Sequence, residues 1–265
     1  MTTNSPDGGE APGFAFTAAD MAEVIELINK SPDQLLQIPD VCSLLSTRRL
    51  SSIKPDGVRT ADVVSDGVIE NALEHNLDAL RKPEELDRPW RLINPLRSNN
   101  YFILHHKTMK VLTVGPRTEA EILNLIGSGF QSQNIRGLDL LSYSPFVDVG
   151  DMHTMPYDDD SFDVVILGWV LGYSSDNATV AAEVLRVARP GAFVLIGCQY
   201  NPRTNTELNR VLAIKKEPTR YQHTDDMVRL FDGHIRSILF RHDVHPTMGH
   251  RNGDLRSKCV NGGRC

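Results

Sequence analysis

Between residues 110 and 198 the chain repeats one pattern: a short apolar run ending on a glycine or an acid, followed by an amphipathic stretch. The runs are KVLTVG at 110–115, NIRGLD at 134–139, PFVDVGD at 145–151, FDVVILGW at 162–169 and AFVLIGC at 192–198. Runs this short, apolar on successive residues, suit strands covered on both faces, which is the situation inside a parallel sheet. Residues 119–130 read as a helix stopped by Gly127 and Gly129. Residues 177–189 read as another, with Val180, Val184, Leu185, Val187 and Ala188 on one side and Pro190-Gly191 ending it. Strands alternating with helices predict an α/β fold: a Rossmann-like, doubly wound, mostly parallel sheet.

The flanking segments read differently. Residues 1–16 are rich in Pro, Gly, Asp and Asn and are expected to be a disordered tail. Residues 17–100 are expected to form an N-terminal helical annex. Its first helix, 17–30, places Met21, Val24, Ile25 and Ile28 on one face, with Thr17 as cap. A short helix begins at Ser31-Pro32-Asp33, and a longer one is expected over 61–80. Pro83, Pro89 and Pro95 then break up a connector. The sheet domain is assigned to 101–245, and 246–265, polar and Gly-containing, to a flexible tail.

Composition narrows the partners. Lys and Arg number 28 against 34 Asp and Glu, a formal charge of −6. Phosphate neutralisation supplies most non-specific affinity for nucleic acid, so this balance argues against that partner. The longest strongly apolar stretch, 164–173, is too short for a bilayer, which takes about 20 residues. The N-terminus lacks the basic and apolar regions of a secretory signal. Cys42, Cys198, Cys259 and Cys265 show no CxxC spacing, which suits a reducing compartment, so the expected location is the cytoplasm. His242, His245 and His250 with Cys259 match no compact tetrahedral spacing, and no metal site is assigned.

The runs GDMHTMPYDDDSFDVVILGWVLGYSSD, from Gly150, and AAEVLRVARPGAFVLIG, from Ala181, carry a more specific signal. In order and spacing the chain resembles the class I S-adenosylmethionine-dependent methyltransferases from Val111 to Gly197. The resemblance implies S-adenosylmethionine as cofactor, held beyond the carboxyl ends of the strands at the switch point of the sheet. It implies that Asp139, with Leu140 after it, receives the ribose hydroxyls. Asp151 would accept from the adenine amino group, Met152 would offer its backbone N–H to the ring, and His153 would form part of the wall. Leu167, Gly168, Trp169 and Val170 would face the sulfonium and the acceptor.

The family's Asp-x-Gly-x-Gly-x-Gly turn is altered here to Thr113-Val114-Gly115-Pro116-Arg117-Thr118-Glu119. Gly115 keeps the first glycine, and Pro116 suits a turn. Arg117 is placed to pair with the cofactor's carboxylate, and Glu119 to favour the helix N-terminus and accept from its ammonium group. The residues assigned to the cofactor are thus Gly115, Pro116, Arg117, Glu119, Asp139, Leu140, Asp151, Met152, His153, Gly168 and Trp169. No catalytic base is assigned, since an ordinary phenol such as Tyr173 titrates near pH 10.

The expected activity is methyl transfer to a small-molecule acceptor. A binding or regulatory module with the same fold but no turnover is the alternative, supported by the altered turn. A nicotinamide oxidoreductase is disfavoured by the missing GxGxxG. Nucleic-acid methylation is disfavoured by charge.

Overall fold

The computed structural model describes residues 15–54, 57–62, 87–174, 176–200, 221, 223–243 and 256–264. Thr17 caps α1 (Ala18–Lys30) through a reciprocal pair: its hydroxyl accepts from the Asp20 N–H at 3.1 Å, and Asp20 accepts from the Thr17 N–H at 2.7 Å. A 3-10 turn (Pro32–Gln37) follows, then α2 (Pro39–Ser51), with Pro at the first turn of each. Strand β1 (Arg59–Thr60) leaves this helical segment and pairs antiparallel with β4 (Leu141–Ser142). Most of the expected tail 1–16, the expected helix 61–80 and residues 246–255 lie outside the described residues.

Helix α3 (Asp87–Leu96) replaces the expected Pro-broken connector. Pro89 falls in its first turn, where N–H groups have no helical partner anyway, and Pro95 at its end. Leu92, Ile93 and Leu96 are fully buried with Val111, Ile122, Val164 and Ile166, so α3 belongs to the core of the sheet domain. Burial of these side chains stabilises the packing by roughly 1.5–3 kcal/mol each. The boundary expected at residue 100 therefore runs through a single core. Helix α4 (Asn100–His105), capped by Asn99, adds Phe102 to it.

The sheet consists of β2 (Val111–Val114), β3 (Ile135–Asp139), β5 (Val147–Val149), β6 (Phe162–Gly168), β7 (Ala188–Tyr200), β8 (Ile235–His242) and β9 (Arg256–Arg264). Its order is β5-β3-β2-β6-β7-β9-β8. The five strands from β5 to β7 run parallel, as the apolar runs predict. Val111 lies beside Ile135 on one side and Val164 on the other. Helices α5 (Glu119–Gly127) and α6 (Asn177–Val187) supply the crossovers, and one apolar cluster covers each face. From β2 the chain winds outward through β3 to β5, then returns to the other side of β2 at β6. That reversal opens a crevice at the carboxyl ends of β2 and β6.

Two departures concern the end of the chain. Strand β7 starts at Ala188, earlier than expected, and Pro190-Gly191 forms an irregularity where pairing skips from Phe162–Ala188 to Val164–Phe193. Residues 256–264, expected within a flexible tail, form β9 in the interior of the sheet, antiparallel to both β7 and β8. RSKCVNGGR has no alternation to announce a strand. Its place is set by the open backbone edges of its two neighbours, which a pattern of side chains does not record. Helix α7 (Thr224–Arg229) packs Met227 into the core beside β7.

Candidate functional site

An open cleft of about 600 Å³ lies at the crevice. Its walls are Val114, Gly115 and Arg117 after β2, Leu138, Asp139 and Leu140 after β3, Gly150–His153 after β5, and Trp169, Val170 and Tyr173 after β6. Four strand ends thus deliver their following residues to one place, because parallel strands all finish on the same side. Mostly apolar walls with a few convergent polar groups are the usual make-up of a small-molecule site.

The turn after β2 keeps the path of a glycine turn with fewer glycines. Gly115 has φ 67°, and a Cβ there would stand 2.2 Å from Val170 Cγ1. Arg117, with φ 49°, occupies the left-handed region that glycine favours. Its N–H donates to Asp139 Oδ2 at 3.2 Å. Asp139 is 6% exposed. Burial pushes its carboxyl up to about 6, against the opposing pull of backbone N–H bonds from Arg117, Leu141 and Leu140 and of the Arg117 charge.

Asp151 stands across the cleft. Its Oδ1 accepts from the His153 N–H at 2.9 Å and meets His153 Nδ1 at 2.6 Å, and His153 Nε2 meets Ser174 Oγ at 2.8 Å. The loop beyond is fixed from α6: Arg186 donates to the carbonyls of Met155 and Tyr157, and Glu183 accepts from the Met155 N–H. Arg189 grips Asp163 with two bonds of 2.9 Å, and Asp163 also takes the Lys110 N–H. Most polar residues of the quoted motif therefore hold the loop and strands in place.

Trp169 closes the far wall with φ 63°. Its ring lies against Gly197, where a Cβ would be 3.0 Å from the ring. The Arg91 guanidinium of α3 sits 5.7 Å from the ring centroid. The N-terminal segment thereby touches the site wall.

Of the residues assigned from sequence, the cleft unites Gly115, Arg117, Asp139, Leu140, Asp151, Met152, His153 and Trp169. Pro116, Glu119 and Gly168 are not on its walls. Pro116 is buried and packs over Gly137. Gly168 is buried within β6. Glu119 is corrected most sharply. Its carboxylate is 2% exposed, receives two bonds from Arg49 of α2, and accepts from Ser144 Oγ at 2.6 Å. It lines an adjoining open hollow with Tyr143 and Ser144, on the other side of Arg117 and Asp139, which border both. A buried carboxylate needs a cationic partner, and α2 brought one that the local sequence did not show. Val114, Leu138, Gly150, Val170 and Tyr173 complete the cleft. Most are the last apolar residues of a strand or lie just past its end, which is the signal that finds them.

Among the described residues no group of three His, Cys, Asp or Glu stands close enough to hold a metal ion, and no helix is long and apolar enough to cross a membrane. His245 and His250 lie outside the described residues.

The family described as "Methyltransferase domain" matches residues 130–196, about a quarter of the chain. The chain resembles the class I S-adenosylmethionine-dependent methyltransferases, and S-adenosylmethionine is the cofactor that this domain implies. A search of curated proteins finds no match. Solved structures of similar architecture include a chain of the complex between the Haloferax volcanii Trm112 methyltransferase activator and a methyltransferase. Its identity is 17%, over 76% of this chain and 99% of that chain, with a TM-score of 0.49. An S-adenosylmethionine-dependent methyltransferase from Thermotoga maritima is 12% identical over 74% and 99%, with a TM-score of 0.48. One from Methanosarcina mazei is 17% identical over 61% and 96%, with a TM-score of 0.43.

The cleft fits the cofactor on its own chemistry. A buried acceptor ends β3, as a vicinal diol requires, a second acceptor follows β5, and position 115, on the cleft wall after β2, packs against Val170 only because it is glycine.

Proposed function

We propose that this protein transfers the methyl group of S-adenosylmethionine to the oxygen or nitrogen of a small-molecule acceptor in the cytoplasm. The observation that carries this reading is the pair of carboxylates, Asp139 and Asp151, on opposite walls of one cleft at the strand ends. When bound, the cofactor supplies a methyl on a positively charged sulfur, already a good leaving group.

The residues then have to bind, orient and exclude water. Asp139 receives the ribose hydroxyls, and Asp151 the adenine amino group. Arg117, on the wall after β2, meets the carboxylate of the amino-acid end with two parallel bonds, a geometry that lysine does not reproduce. Trp169, Val170 and Tyr173 form the side from which the acceptor approaches, and desolvate it. The formal charge of −6 and the mostly apolar walls of the cleft support a small acceptor over a nucleic acid.

Calorimetric titration with S-adenosylhomocysteine and adenosine tests the reading. Binding of the first is expected, and Arg117→Lys should weaken it by about tenfold while leaving adenosine unchanged, since only the first has the carboxylate. Absence of heat and of thermal shift with S-adenosylhomocysteine would overturn it. The strained turn at Arg117 favours a second reading, a cofactor-binding module without turnover. Binding with no methyl transfer across a panel of hydroxyl and amine acceptors would support that instead.

A further inference from the structure

The bonds around His153 tie it to both Asp151 and Ser174. Both the His153 N–H and Nδ1 face Asp151 Oδ1, and an ionised carboxylate only accepts, so Nδ1 carries the proton. Nε2 lies 2.8 Å from Ser174 Oγ, a hydroxyl able either to donate to it or to accept from it. The Ser174 oxygen is itself held in place, accepting from the Asp176 N–H at 3.0 Å. Asp176 is itself fixed as the cap of α6, accepting from the N–H groups of Ala178 and Thr179. The chain runs from a helix N-terminus through Ser174 and His153 to a single oxygen of Asp151. Ser174 is buried, 2% exposed, and is not on the cleft wall, so nothing in the arrangement presents it as a nucleophile.

We propose that His153 is a positioning residue that locks Asp151 as a one-sided acceptor and so makes the cleft select a purine bearing a 6-amino group over one bearing a 6-keto oxygen. The proposal rests on the cofactor reading above and goes beyond it. Oδ1 is saturated by two donors, and Oδ2 has no partner among the described residues. An amino group can donate to Oδ2. A keto oxygen would bring a lone pair against the carboxylate, and the side chain cannot turn to avoid it without breaking both bonds to His153. Ser174 keeps the imidazole from turning instead. The same link joins the loop after β5 to the segment after β6, the two walls that face the base and the acceptor.

The test compares S-adenosylhomocysteine with S-inosylhomocysteine by calorimetry on the intact protein. Wild type is expected to prefer the adenine ligand by about a hundredfold, the effect of replacing one charged hydrogen bond by a repulsive contact. His153→Phe, which keeps a ring but no hydrogen bonds, should reduce the preference to below about tenfold. Ser174→Ala, remote from the ligand, should give an intermediate ratio, and it carries the test if His153→Phe does not fold. If His153→Phe weakens both ligands equally and keeps the wild-type ratio, or if Ser174→Ala leaves the ratio unchanged, the proposal is overturned. Equal wild-type affinity for both ligands overturns it while leaving the cofactor reading intact. Wild type binding neither ligand overturns both.

Discussion

The turn after β2 and the loop after β5 face each other across the cleft and are held by opposite means. The loop after β5 follows the methyltransferase motif closely and is fixed by its own domain, through His153, Ser174 and the α6 arginine. The turn after β2 departs from the motif; Asp139 holds its Arg117 N–H, and the N-terminal segment holds the start of the helix that follows. Arg49 of α2 reaches Glu119, and Arg59 of β1 braces the neighbouring segment between β4 and β5, donating to Ser142 Oγ and to the carbonyls of Ser144 and Val147. A degraded motif is therefore not by itself a degraded site: the left-handed backbone survives at Arg117, whose N–H is held by Asp139.

The sharpest way to break this contrast is Arg49→Ala. It leaves Glu119 buried without its cation, and because Arg49 is itself half-exposed the expected loss is about 3 kcal/mol of stability, read by denaturant unfolding. S-Adenosylhomocysteine should still bind once the protein is folded, because Glu119 does not face the cleft. Asp139→Asn should do the reverse. Affinity should fall by about 2 kcal/mol, roughly thirtyfold, with no loss of melting temperature, because a buried charge has been removed.

The pH dependence of binding is a smaller effect of the same group. Protonation of Asp139 should weaken S-adenosylhomocysteine about tenfold between pH 7 and pH 5, since its carboxyl titrates at about 6 in the fold. Stability moves in the opposite sense. The folded state holds this proton more tightly than the unfolded chain, whose value is near 3.8, so this group stabilises the fold as pH falls from about 6 to 4. Calorimetry and thermal melts across that range separate the two trends. Smallest of all, Arg117→Gly should raise stability by about 0.5 kcal/mol by relieving the left-handed backbone. It should weaken S-adenosylhomocysteine but not adenosine.

The central sheet was legible because each of its parallel strands advertises itself: buried on both faces, it has to be apolar throughout, and the acids that end β3 and mark β5 stand out against it. Eight of the assigned site residues follow from that logic. Glu119 did not, because nothing near it in sequence announces Arg49, seventy positions earlier. The link from His153 to Ser174 was equally invisible, since it joins two loops that only the sheet brings together. Strand β9 was hidden for a different reason: two glycines and three basic residues give no alternating pattern, and its pairing is made by backbone.

That strand has a consequence for how the protein is made. Among the described residues strand β8 pairs only with β9, yet precedes it in the chain, and β9 is also what covers the edge of β7. During synthesis, the parallel half of the sheet can assemble while β7 still presents a row of unpaired N–H and C=O groups, and β8 has nowhere to dock. The nascent protein passes through a stage with a sticky border, closed only when residues 256–264 leave the ribosome. Such a border is a template for pairing with other chains, so the interval between translating β7 and translating β9 is when this protein is most exposed to aggregation and most dependent on chaperones.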